Sequence, residues 1–178
     1  NTAVEGRRDF ERREKVRKIP LPFGVSARGG FDEAHALGDF RTLDNAPAKA
    51  ASSVALANDD ESLFIEFREP GGEAYARRGL SEAENGFECY LSSLYENNFI
   101  CIHARPNGMV SAERCELRFG GSWRKDSMAI PFAESKADAD GWRVRIKVPF
   151  RLIPPGASKS SRLRGNFIRA RGWPGGET

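Results

Sequence analysis

Two histidines, three cysteines and a scatter of carboxylates are the groups in this chain with the chemistry for covalent, acid–base or metal work. His35 stands beside Asp32 and Glu33 in FDEAHALGDF, a stretch that suits one or two helical turns, and its company is that of a solvated side chain. His103 takes the polar phase of NFICIHA. Neither falls in a His-x-x-x-His or Gly-x-Ser-x-Gly context. A glycosidase needs two carboxylates facing each other across a cleft. Glu88 and Glu116 lie mid-strand, but nothing in their spacing makes them face. Cys89, Cys101 and Cys115 have no Cys-x-x-Cys spacing, which argues against zinc, and their apolar neighbours suit buried free thiols. NDDES (58–62) and DADG (138–141) carry oxygen ligands of the kind calcium takes, yet they lack the spacing of a loop that wraps an ion and read as ordinary turns. The expectation is a non-enzyme without a cofactor.

Aromatic rings offer a different chemistry, because their faces stack on the C–H face of a sugar while nearby charged groups bond its hydroxyls. Trp142 alternates with Val144, Ile146 and Val148 and belongs to a core. Trp123, in GGSWRKD, falls on a turn or a strand end. Trp173, in RGWPGG, sits among glycines with no apolar neighbour in phase, so no core demands it.

The elements that position these groups are strands. SSVALA (52–57) and LFIEF (63–67) flank a turn sequence and make a hairpin. GFECYLSS (86–93), NFICIHA (98–104), CELRF (115–119), SMAIPF (127–132), GWRVRIKVPF (141–150) and GNFIRAR (165–171) extend the series, with Asn107-Gly108 as a tight turn. In GWRVRIKVPF the residues between the apolar positions are Arg143, Arg145 and Lys147, a wet face made only of cations. PPGASKSS (154–161) reads as a surface loop. Helical signals are short and isolated, and short helices are marginal alone. With 18 Gly and 10 Pro, the pattern predicts an all-β, two-sheet antiparallel sandwich of the immunoglobulin or jelly-roll kind.

The 178 residues suit one domain, taken as 20–178, preceded by a charged arm over 1–19. Net charge is +3, with 28 Lys and Arg against 25 Asp and Glu, and the densest run, GRRDFERREKVRK, mixes both signs. That balance argues against a nucleic-acid binder, which concentrates cations beside aromatic platforms. No apolar run reaches the length of about 20 residues that a membrane helix needs.

The segment order LFIEFREP, ENGFECYLSS, NFICIHARPNGMV, DGWRVRIKVPFRLIPPG, RGNFIRARGW resembles the family 9 carbohydrate-binding modules and their DOMON-like relatives, over roughly residues 20–175. The resemblance implies a sugar held between two tryptophans, with polar side chains on its hydroxyls. Carried over, Glu88 matches the family's strand glutamate, His103 falls near its asparagine, Arg169 near its late glutamine, and Trp173 matches its C-terminal tryptophan. Cys101 stands where the family has an arginine, Arg145 where it usually has a glutamate. The first tryptophan has no counterpart, and Tyr75 is the aromatic residue its loop offers. Trp173, Glu88 and Arg169 are expected to converge on an outer face beside His103, with Tyr75 as the second stacking surface.

The implied ligand is a mono- or oligosaccharide, the implied partner a covalently linked glycoside hydrolase or other polysaccharide-acting domain, and the implied location extracellular or the cell envelope. Neither nucleic acid nor membrane insertion is expected. Two alternatives stand beside it. One is a haem-binding DOMON domain, with His103 and either Met109 or Met128 as the axial pair. The other is a structural or interaction sandwich without the sugar site. A tight hairpin through SLYENN would place Cys89 nearly opposite Cys101, and Cys115 about one position out of register with Cys101. Three free thiols are expected, with Cys89–Cys101 as the pair if any bridge forms.

Overall fold

A computed structural model of the chain describes residues 30–39, 52–70, 86–93, 97–158, 161 and 163–170. The charged arm, Tyr75 and Trp173 lie outside them. Among the described residues, ten strands form two antiparallel five-stranded sheets: β1 (His35–Asp39), β2 (Ser53–Asn58), β3 (Ser62–Pro70), β4 (Gly86–Ser92), β5 (Asn98–Ala104), β6 (Val110–Leu117), β7 (Trp123–Met128), β8 (Phe132–Asp138), β9 (Gly141–Pro149) and β10 (Arg164–Ala170). The first sheet has the order β1-β2-β3-β9-β8 and the second β10-β4-β5-β6-β7. The all-β sandwich expected from the sequence is what the chain forms. Among the described residues no helix is long and apolar enough to cross a membrane.

Alternation sets the core. Trp142, Val144, Ile146 and Val148 of β9 and Leu63, Ile65 and Phe67 of β3 face Phe87, Cys89 and Leu91 of β4 and Ile100, Ile102 and Ala104 of β5. Phe67 bridges the layers, 4.6 Å from Phe87 in a stacked pair and 5.0 Å from Trp142 edge-on. The Trp142 indole N–H donates to Ser135 Oγ at 2.9 Å, and that hydroxyl donates to the Arg105 carbonyl at 2.5 Å, so the buried indole keeps a partner.

The turns follow their side chains. Asp59 Oδ1 accepts from the backbone N–H of Glu61 and Ser62, closing the β2–β3 hairpin. Asn107 Oδ1 accepts from Met109 N–H at 3.0 Å, with Gly108 at φ +94°. Gly141 opens β9 at φ +147°, and a Cβ there would lie 2.3 Å from the Glu69 carbonyl, so glycine fixes the register of β9 on β3. Asp138 Oδ1 accepts from Asp140 N–H at 3.1 Å, so both oxygen-rich turns are capped by their own aspartates. Among the described residues no group of three or more His, Cys, Asp or Glu is placed to hold a metal ion.

The structure departs from the sequence expectation in four places. His35 opens β1 after a single 3-10 turn over Phe31–Glu33, because the helical stretch is too short to propagate. SMAIPF is not one strand: β7 ends at Met128 and β8 begins at Phe132, with Pro131 in the crossing between sheets. The sixth strand starts at Val110, five residues earlier than CELRF suggests. PPGASKSS is anchored at its start, since Ile153 is fully buried and the N–H and hydroxyl of Ser93 both donate to the Pro154 carbonyl.

Candidate functional site on the outer face of the second sheet

Cross-strand neighbours share a face, so register decides which side chains meet. Glu88 pairs with His103 and Tyr90 with Cys101, on the side of the second sheet away from the core. His103 Nδ1 lies 3.5 Å from Glu88 Oε1, and the Tyr90 hydroxyl donates to Glu88 Oε2 at 2.6 Å. Cys101 Sγ lies 3.0 Å from His103 Nε2. The histidine and glutamate side chains are 34% and 28% exposed, so both can reach a ligand.

Thiol, imidazole and carboxylate here have the order of a nucleophile, its base and an orienting group. The thiol is not activated. Cys101 is 3% exposed, and burial, with the Glu88 carboxylate adding to it, pushes its pKa up to about 12 against a weaker opposing hydrogen bond from Tyr90. The thiol stays protonated, and Cys101 and Glu88 flank the two ring nitrogens of His103. The array fixes the ring of His103 and leaves the Glu88 carboxylate partly exposed beside it.

Beside this polar group runs an aromatic strip. The Tyr90 and Phe99 ring centroids are 5.8 Å apart, and Phe99 and Trp123 are 5.1 Å apart, edge to face. Trp123 ends the strip at 44% exposure. It begins β7 opposite Leu117, on the same face as Cys115 and Lys125. Cys101 and Cys115 are buried although they point outward, so the rings and charged chains around them roof this face. Lys125 reaches diagonally across the β6–β7 pair to Glu113 at 3.9 Å.

Of the residues expected at a sugar site, Glu88 and His103 come together and Arg169 does not join them. On β10, Phe167 pairs with Cys89 and Arg169 with Phe87, both core-facing positions, so Arg169 points between the sheets. Its guanidinium lies 2.5 Å from Glu69 Oε2 and 4.8 Å from the centre of the Trp142 ring. Trp173 and Tyr75 lie outside the described residues. Among the described residues, Tyr90, Phe99 and Trp123 are rings on the face that Glu88 occupies. Their signal is in the sequence: Tyr90 is in phase with Glu88, and Phe99 with Cys101 and His103.

Strand phase also separates two candidate pairings. Glu116 pairs with Asn98, on the phase of Ile100 and Ile102, whereas Glu88 takes the opposite face of the sheet. They do not flank one cleft. Met128 pairs with Ala112, which pairs with Ile102, so it lies on the inner face and cannot share an axial iron site with the outward His103. The thiol register also changes. Cys89 pairs with Ile102 and points inward, while Cys101 points outward, so the two are not bridgeable partners. Cys115 pairs with Phe99, two positions along from Cys101's partner Glu113, on the same face. All three cysteines are free.

Comparison with family models, with curated proteins and with solved structures gives no match to this chain. The family resemblance therefore stands on its residues alone.

Proposed function

We propose that this chain is a non-catalytic glycan-binding sandwich whose ligand lies along the outer face of the second sheet. One observation carries the reading: the partly exposed strip Tyr90–Phe99–Trp123 adjoins the fixed Glu88–His103 pair, and the Tyr90 hydroxyl ties the two together. A sugar ring covers an aromatic face with its C–H side, and its hydroxyls donate to the remaining lone pairs of the Glu88 carboxylate. Hydrogen bonds to charged groups contribute about 1.5–3 kcal/mol each. The strip spans several strands, which suits an oligosaccharide better than a single ring. Such a module serves a polysaccharide-acting enzyme or the cell envelope by holding the glycan close, outside the cell.

The test is an immobilised-glycan screen of the full chain, repeated with Trp123→Ala and Tyr90→Phe. Wild type is expected to retain a defined set of oligosaccharides. Trp123→Ala should lose them, and Tyr90→Phe should weaken them by releasing Glu88. Retention of no glycan by the wild-type chain would refute the reading.

A further inference from the structure

The outer face of the first sheet raises a separate question. Its register stacks side chains in rows across β2, β3, β9 and β8. One row is Ser53, Arg68, Arg143 and Lys136. The next is Ala55, Glu66, Arg145 and Glu134, and the third Ala57, Phe64, Lys147 and Phe132. Strands are about 4.8 Å apart, so each row is a line of immediate neighbours.

In the second and third rows the cations are matched. Arg145 Nε donates to Glu66 at 2.5 Å, and its guanidinium lies 3.8 Å from Asp32. Lys147 lies 3.4 Å from Asp59 and 4.9 Å from the centre of the Phe64 ring. The first row has three cations side by side and no carboxylate between them. Arg68 turns along its own strand to Glu66, and Lys136 along its own to Asp138 at 3.8 Å. Arg143, between them, pairs with no carboxylate among the described residues. Like charges directly opposite are unfavourable in a sheet, and Gly141 locks the register that brings these together.

We infer that this row binds a discrete oxyanion of the phosphate or sulfate type, held by the guanidinium of Arg143 with Arg68 and Lys136 on either side. A doubly charged tetrahedral group turns the mutual repulsion into attraction, and the planar guanidinium fork matches two of its oxygens. The row is bounded by carboxylates on both sides, Glu66 and Glu134 along one and Asp138 along the other, which admits one anionic group and repels a continuous polyphosphate chain. A hollow of about 310 Å³, lined partly by Ser53, Glu66 and Arg68, opens at the β2 end and has room for the substituent of an ester. The inference is independent of the aromatic face, which belongs to the other sheet.

The full chain is titrated with sodium sulfate and sodium phosphate, against sodium chloride at matched ionic strength, while the arginine Nε–H resonances are followed by NMR. A saturable shift of Arg143 with the oxyanions and none with chloride is expected. Arg143→Gln should weaken that binding by about tenfold or more, the equivalent of one charge-assisted hydrogen bond, without lowering the melting temperature measured in chloride. Arg124→Gln, on the other sheet, should bind as wild type. Tighter binding of glucose 6-sulfate than of inorganic sulfate would identify an ester as the source, and equal binding the free ion. Shifts that match those in chloride, or that survive Arg143→Gln, overturn the proposal. So does tighter binding of a single-stranded oligonucleotide that the same variant abolishes.

Discussion

Arg169 and Glu69 meet between the two sheets, guanidinium to carboxylate at 2.5 Å, with side chains 5% and 1% exposed. The pair links β10 of the second sheet to β3 of the first, and the Arg169 guanidinium also lies over the Trp142 ring. Taking both charges from water is costly, and their attraction offsets that cost only while both are present. Arg169→Met is therefore expected to destabilise the fold by about 3–5 kcal/mol in urea melts, because it removes the cation held against a buried carboxylate. Adding Glu69→Leu should recover most of the loss. A single-variant loss below about 1 kcal/mol would mean that Arg169 reaches water, contrary to the register of β10.

Trp142 is the largest fully buried side chain among the described residues. Trp142→Ala should cost about 3–5 kcal/mol, as aromatic deletions from packed cores do. Ser135→Ala should cost about 1–3 kcal/mol, because it leaves the indole N–H and the Arg105 carbonyl without the hydroxyl that serves both. Equilibrium urea unfolding of the two variants checks both values, and a neutral Ser135→Ala would contradict the relay.

The thiols make stability fall on the alkaline side. Burial pushes Cys89 well above its ordinary value, Cys101 up to about 12, and Cys115 upward. In the unfolded chain thiols lose their protons near pH 8.5. The folded state then holds more protons than the unfolded one, so the thiol contribution is complete below that pH and is lost as pH rises toward the folded values. Urea melts from pH 7.5 to 10 should show falling stability, with the fully buried Cys89 contributing most. Cys101→Ala should flatten the slope. A curve that stays level or rises would contradict buried thiols.

The sandwich was legible because large apolar residues alternate along β3, β4, β5 and β9, and alternation fixes a strand's faces without knowledge of its partners. β7 and β8 were hidden for the converse reason. β8 turns Ala133, Ser135 and Ala137 inward, residues too small to mark a buried phase, and five of the six residues of β7 are exposed. Arg169 was misplaced because a charge is ordinarily taken as solvated. The phase pointed the other way: Arg169 shares the face of Phe167, and Glu69 the face of Leu63, Ile65 and Phe67. Opposite charges on two inward phases, 100 residues apart, signal a buried pair. Glu88 and His103 could be placed outward from phase, whereas their meeting depended on the β4–β5 register, which a hairpin of uncertain length leaves open.

Binding on the outer face of the second sheet is tested most directly by isothermal titration of the full chain with oligosaccharides retained in a glycan screen, alongside Trp123→Ala and the control Phe119→Ala. Phe119 is fully exposed and lies beyond β6, outside the strip. Wild type and Phe119→Ala should bind alike, and Trp123→Ala should lose about tenfold or more in affinity, consistent with removal of one stacking ring, while its melting temperature stays unchanged. Equal affinity for wild type and Trp123→Ala would contradict the placement of the glycan on this face.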